Sequence, residues 1–236
     1  MRLAVNIDHF ATLREARRSS EPEPVLAALL SEIAGADGIV CHIRTDRRHI
    51  KERDLLLLKG AIKTKLNIEM AATDEMKSIA LDVKPDVVSL VPERPEELTT
   101  EGGLDVIANE EHLSAHIFDL KNKGIRVSIF VDPDIEQIDA CRRVGVDLIE
   151  INTGKYSDSR PGKEQNLAFE EIKKTAAHSF QLGIETHAGH GLDYKNIHPI
   201  ARLPEIVEFS IGFSIIARAA IVGIDLAVRE MIALIE

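Results

Sequence analysis

The chain has 236 residues, with 29 Lys or Arg against 39 Asp or Glu, a formal net charge of −10. That balance argues against nucleic acid as a partner, because backbone phosphates need positive charge spread over a face, and 4% aromatics with no Trp do not favour a stacking platform for bases or sugars. Only Cys41 and Cys141 are present, which excludes a disulfide framework or a Cys-based zinc site and suits a reducing cytoplasm; no apolar stretch reaches the ~20 residues of a membrane span.

The first predicted strand is Leu3–Ile7. It turns polar too early for a signal peptide and ends in Asn6, Asp8 and His9, with Arg17 in the loop behind it. A helical pattern over Pro24–Ala34 stops at Gly35 and leads to strand two, Gly38–Ile43, which ends in His42 and Arg44. The basic stretch Arg44–Arg53 follows. Such runs are usually solvated helix faces, but Arg44 and His49 come straight after the strand, where a guanidinium can grip a phosphate with two hydrogen bonds.

A helix over Ile50–Lys63 precedes strand three, Leu66–Met70, which carries Glu69 in an otherwise apolar run. A helix over Asp74–Asp82 and strand four, Asp86–Val91, come next, followed by Glu93 and the aperiodic segment Pro92–Gly103. Its length marks it as a candidate lid. A helix over Glu110–Lys123 leads to strand five, Arg126–Val131; Asp132-Pro133 beyond it reads as a turn and helix start. After a helix over Asp134–Arg143, strand six, Asp147–Asn152, holds Glu150 and Asn152. A helix over Glu164–Phe180 then leads to strand seven, Gly183–His187, with Glu185 and His187, before Ala188-Gly189-His190-Gly191. Strand eight, Ile206–Ile211, passes through Gly212-Phe213-Ser214 into one long final helix, Ser214–Ile235.

The strand runs are near-continuously hydrophobic, as parallel strands covered by helices require. Helix stops recur just before strands at Gly35-Ala36-Asp37, Lys84-Pro85-Asp86 and Gly145-Val146-Asp147. Eight such units predict a single-domain (β/α)8 TIM barrel over residues 1–236. The alternative, a doubly wound open sheet, lacks its Gly-x-Gly-x-x-Gly loop after strand one.

Barrel chemistry gathers at the C-terminal ends of the strands. A charge inside an apolar strand is costly unless it is used or paired. Glu69 is therefore a candidate acid/base group with a burial-raised pKa, its alternative being a carboxylate bonded to a neighbour. His42 is read the same way, against a satisfied core histidine. His190 lies between glycines, where backbone can approach a ligand closely, against a plain turn histidine. Asp8 and His9 bind a ligand or cap the next segment. Gly191 and Gly212 fit the phosphate site that barrels build from backbone amides after strands seven and eight. The expected ligand is a small phosphorylated molecule, with no cofactor and no metal. A His42–Glu69–His190 metal site is the weaker reading, since no His-x-His or His-x-x-x-His pair stands at a strand end. An aldolase would need a strand-end Lys, and none is present.

Three early blocks resemble pyridoxine 5′-phosphate synthases: Val5-Asn6-Ile7-Asp8-His9, His42-Ile43-Arg44 and Asn67-Ile68-Glu69-Met70-Ala71-Ala72-Thr73. So do Leu98-Thr99-Thr100-Glu101-Gly102-Gly103, Ala188-Gly189-His190-Gly191-Leu192 and Ile215-Ile216-Ala217-Arg218-Ala219. The resemblance runs in order along the whole chain. It implies a synthase of vitamin B6 biosynthesis that condenses 1-deoxy-D-xylulose 5-phosphate with 3-amino-2-oxopropyl phosphate. It also implies a homo-octamer, with Glu69 and His42 as proton acceptors and His190 as proton donor. Asp8, His9, Arg44, His49 and Thr99 match positions that hold the first substrate; Asn6, Arg17, Gly191 and Gly212 match positions that hold the second. The alternatives are another phosphosugar isomerase or aldolase on the same barrel, or an inactive phosphate-binding barrel. Three positions depart from the family pattern. His187 stands where Asn is usual, and Ser210-Ile211-Gly212-Phe213 stands where Asn-Ile-Gly-His is usual. If residue 213 binds through its backbone amide, Phe213 still serves, and His187 would be a substitute cation beside the aminoketone phosphate.

Overall fold

The computed structural model describes residues 1–94 and 102–236. Thr99 and most of the proposed lid lie outside them. Eight parallel strands close into a barrel in sequence order: β1 Arg2–Asn6, β2 Gly38–His42, β3 Lys65–Met70, β4 Val87–Leu90, β5 Arg126–Val131, β6 Leu148–Asn152, β7 Glu185–Gly189 and β8 Ile206–Ile211. Around them run α1 Asp8–Arg17, α2 Pro24–Ala34, α3 Glu52–Ala61, α4 Asp74–Val83, α5 Glu110–Lys121, α6 Ile135–Val144, α7 Gly154–Asp158, α8 Lys163–Gln181, α9 Ile197–Ala201, α10 Phe213–Val222 and α11 Ile224–Ile235. No helix among the described residues is long and apolar enough to cross a membrane.

The hydrophobic layer between strands and helices is dry. Leu3, Val5, Ile39, Cys41, Leu66, Ile68, Val127, Ile129 and Ile149 are all 0% exposed. Each strand alternates these outward apolar residues with inward ones, and many of the inward ones are polar: Asn6, His42, Asn67, Glu69, Ser89, Ser128, Glu150, His187, Glu208 and Ser210.

Three expectations need correction. The final helix is two, α10 and α11, because Gly223 takes φ +85° and ψ 155° and the chain turns there. The helical period of the sequence does not register one residue of broken phase. β7 begins two residues later than read. Gly183 and Ile184 instead close α8, with Gly183 N–H donating to Phe180 O at 3.0 Å and Ile184 N–H to Ser179 O at 3.1 Å. Residues 8–17 form a helix rather than a loop, so Arg17 stands in its exposed last turn. Its buried residues are Asp8, Ala11 and Arg14, and two of those three are charged, so apolar spacing could not reveal it. The short helices α7 and α9, five residues each, are too brief to show a helical period in the sequence.

Candidate active site

The mouth of the barrel, at the C-terminal ends of the strands, holds a cavity of about 1080 Å³. Asn6, Asp8, His9, His42, Arg44, His49, Glu69, His190, Gly191, Gly212 and Phe213 all line it. Arg17 does not, although Ala16 just before it does. The expected site residues therefore converge, Arg17 and Thr99 aside.

His42 and Glu69 are register partners on β2 and β3, so their side chains leave adjacent strands at one level. His42 Nδ1 faces a Glu69 carboxylate oxygen at 3.9 Å, and Nε2 lies 2.9 Å from Glu93 Oε1. Burial alone would push Glu93 up. Hydrogen bonds from His42 and from the backbone and hydroxyl of Thr45 hold it instead at about 2. An ionised Glu93 places the ring proton on Nε2, leaving the Nδ1 lone pair toward Glu69. Asp8 fixes the strand end by accepting the His42 backbone N–H at 2.8 Å.

Glu69 is raised well above its ordinary value, first by burial and then by the negative charges of Glu150 and Asp8. Among the described residues His42 is its one basic neighbour at ion-pair distance. Glu150, on β6, is pushed up to about 8 by burial and by Glu208 below it. It sits directly over Gly189: a Cβ there would lie 2.1 Å from Glu150 Oε1, so β7 must carry glycine at this level. Both carboxyls thus hold a proton more tightly than an ordinary carboxyl does, which suits them to acid/base exchange.

His190 adopts φ +78°, sparsely populated for a residue with a side chain. The buried Thr153 hydroxyl holds this turn, lying 2.8 Å from Gly189 O and 2.6 Å from His190 O. Burial pulls His190, His49 and His9 below the usual imidazole range, so they offer neutral rings at neutral pH. His49 Nδ1 accepts the Ile50 N–H at 2.9 Å, which puts the proton on Nε2 as a donor. Its loop is anchored by Arg14, whose guanidinium grips both oxygens of Asp54 at 2.8 and 2.7 Å and also bonds His49 O at 3.0 Å.

The start of α10 opens on the cavity through Gly212, Phe213 and Ser214, and no side chain caps it. Its free amides point where an anion would sit. The Phe213 ring stands edge-on to His9 at 5.3 Å. His187 is not there. It lies inside the barrel, with Nε2 2.9 Å from Glu185 and Nδ1 3.5 Å from Glu208, so it is no substitute cation for a bound phosphate. Glu185 likewise faces the opposite end of the barrel, paired with Arg2 and Arg126.

A donor atom from each of Asp8, His42 and Glu69 falls within 4.8 Å of the others, so these three, rather than a set with His190, could surround a cation. Glu69 would first have to lose the proton that burial favours. Glu93 and Glu150, named above only as polar residues at strand ends, also belong to the site. Glu150 shows the same signal as Glu69, a carboxylate within an apolar strand. Glu93 lies beyond a strand end and carries no such signal.

The family model "Pyridoxal phosphate biosynthesis protein PdxJ" matches residues 3–236. A pyridoxine 5′-phosphate synthase of Syntrophotalea carbinolica is 54% identical over 229 residues, covering 97% of this chain and 96% of that protein. Those of Synechococcus sp. and Geobacter sulfurreducens are 52% identical over 229 residues and 53% identical over 235 residues. They cover 97% and 100% of this chain and 96% and 98% of their own lengths. Among solved structures, thiamine phosphate pyrophosphorylase from Pyrococcus furiosus superposes with a TM-score of 0.63 at 16% identity, covering 99% of this chain and 95% of that one. Phosphoribosyl anthranilate isomerase from Thermus thermophilus gives 0.61 at 12%, covering 99% and 98%. These two likenesses concern the fold alone.

Proposed function

The chain belongs to the pyridoxal phosphate biosynthesis protein PdxJ family, and from that premise we propose how its barrel mouth makes pyridoxine 5′-phosphate. The substrates are 1-deoxy-D-xylulose 5-phosphate and 3-amino-2-oxopropyl phosphate. An amine joins a ketone, a carbon–carbon bond closes the ring, and water and inorganic phosphate leave. Each enolisation and dehydration needs one proton removed and one returned.

The observation that carries this reading is the pair of unneutralised carboxyls, Glu69 and Glu150, beside an oriented His42. A carboxyl with a raised pKa is a stronger base once it ionises and a competent acid when protonated. Glu69 and His42 take protons from the substrate carbons, and His190, neutral at rest, takes up one of these protons before returning it to a leaving oxygen. Glu150 donates a hydrogen bond to developing negative charge. Asp8, His9, Arg44, His49 and Thr99 hold the deoxyxylulose phosphate. Asn6, Gly191 and the amides at Gly212 and Phe213 hold the aminoketone phosphate; Arg17, outside the cavity but next to Ala16 at its edge, is read as swinging in to join them when substrate binds. In this reading the neutral histidines act as hydrogen-bond donors, and Arg44 brings the positive charge.

We place the enzyme in the cytoplasm as a homo-octamer. Buried free thiols at Cys41 and Cys141 support a reducing compartment. An apolar stripe on α2, with Leu26, Leu30 and Ile33 exposed by 54%, 37% and 70%, supports burial against another copy. Incubation with both substrates should yield pyridoxine 5′-phosphate and inorganic phosphate together. Phosphate release without the pyridine product would overturn the ring-closing assignment.

A further inference from the structure

Away from the mouth, α4 and α5 carry a cluster that the reaction does not use. His112 and His116 lie one turn apart on α5, their ring centroids 4.2 Å from each other. His116 is 3% exposed. Its Nδ1 lies 3.2 Å from the backbone oxygen of His112, a bond that puts the ring proton on Nδ1. Nε2 is left as a buried lone pair with no hydrogen-bond partner. It points at Asp74 Oδ1, 3.6 Å away across the groove at the start of α4.

Two electron-rich atoms facing each other at this distance repel unless something positive lies between them. Two ligands of a tetrahedral zinc ion, each about 2.1 Å from it, are roughly 3.4 Å apart. A backbone carbonyl on the far nitrogen is the usual means of orienting a ligating imidazole. The groove already attracts cations. Lys77 places its ammonium 3.2 Å from Asp74 and 2.9 Å from Asp119, one turn beyond His116. Asp74 is 89% exposed in its side chain, and Lys77 is the cation that a metal ion would displace from it. His112 Nε2 meets Ala72 O at 2.7 Å, in the turn after β3.

We propose that this groove is a transition-metal site. His116 and Asp74 are its standing ligands, and His112 is recruited from the Ala72 carbonyl. Imidazole with carboxylate selects a borderline divalent ion such as zinc or cobalt over magnesium or calcium. The ion would pin the turn after β3 to α5.

The test is a Co2+ titration of tag-free, chelator-stripped full chain, read by visible absorption and by Zn2+ equilibrium dialysis. One ion per chain should bind. His116→Ala should lose it, and Asp74→Asn, an exposed change that leaves packing alone, should weaken it. Lys77→Gln should tighten it by about tenfold, because a competing cation is gone. His42→Ala, which disables the cation-capable group at the mouth, should leave it unchanged. The proposal fails if neither the wild type nor Lys77→Gln binds an ion, if uptake survives both His116→Ala and Asp74→Asn, or if it vanishes in His42→Ala.

Discussion

The two ends of the barrel use the same residue types to opposite effect. At the N-terminal floor, Glu185 and Glu208 meet Arg2, Lys65, Arg126 and His187 in a continuous ion-pair lattice. Both carboxylates are held below their ordinary range. For Glu185 the hydrogen bond from His187 leads; for Glu208 burial opposes, but His187, Lys65 and Arg2 prevail. At the mouth, Glu69 and Glu150 are as deeply placed but, among the described residues, meet no Lys or Arg at ion-pair distance, and burial drives them up. A saturated lattice stabilises a closed barrel and does no chemistry. An unsaturated pair costs stability and keeps protons available.

Substitutions at the two ends should therefore fail differently. The largest effect is expected from Glu69→Gln, which keeps shape and hydrogen bonding but cannot accept a proton. Turnover should fall by about a hundred- to ten-thousand-fold, while calorimetric binding of either phosphate substrate stays within a few-fold. Equal losses in both would reduce Glu69 to a binding group.

At the floor, Glu208→Gln should lower turnover far less than Glu69→Gln does, acting only through the weaker push on Glu150, and should lower stability in urea. A fully buried broken pair costs roughly 3–5 kcal/mol. Arg2 and Lys65 are 39% and 34% exposed, and solvent screening brings this to about 1–3 kcal/mol. A catalytic collapse with wild-type stability would erase the distinction between the two ends.

The pH dependence of stability should separate them further. Glu150 is raised from 4.5 to about 8, so the folded state holds a proton that the unfolded chain releases in that window. Its contribution is complete below 4.5 and declines as pH rises toward 8. Glu150→Gln should flatten that neutral-to-alkaline decline. The floor carboxylates are lowered, so their contribution is complete above 4.5 and is lost as pH falls; Glu208→Gln should flatten the acid side instead. Urea midpoints across pH would show both, and a variant that flattened the opposite side would contradict the ionisation states.

Smaller effects are expected at the rim. Phe213→His should tighten aminoketone phosphate binding by a few-fold in calorimetry, since the helix-start amides already serve the anion. An affinity gain of several hundred-fold would make the side chain the main ligand. EDTA treatment should leave turnover intact; loss restored by added metal would bring Asp8, His42 and Glu69 forward as a metal set.

Much of this arrangement could be read from the sequence. Eight apolar runs with helix stops before them specify the barrel, because backbone pairing and burial leave a local signature. Glu69 and His42 stood out because a charge inside an apolar run is costly. The same signal could not say which end of the barrel a strand residue faces. A two-residue shift in β7 moved Glu185 and His187 from the mouth to the floor lattice. Helix α1 was hidden because its inner face is built from Asp8 and Arg14. The partnership of Arg14 with Asp54 spans 40 positions, and that of His42 with Glu93 spans 51. Closure of the barrel creates such long-range pairs, and no local pattern encodes them.

The central claim is that Glu69 holds its proton more tightly than an ordinary carboxyl, while the floor carboxylates give theirs up more readily. Infrared difference spectroscopy of wild-type enzyme against Glu69→Gln and Glu208→Gln at neutral pH tests it directly. The Glu69 difference should contain the carbonyl stretch of a protonated carboxylic acid, and the Glu208 difference only the paired stretches of a carboxylate. A carboxylate signature for Glu69 in the unliganded enzyme would contradict the account.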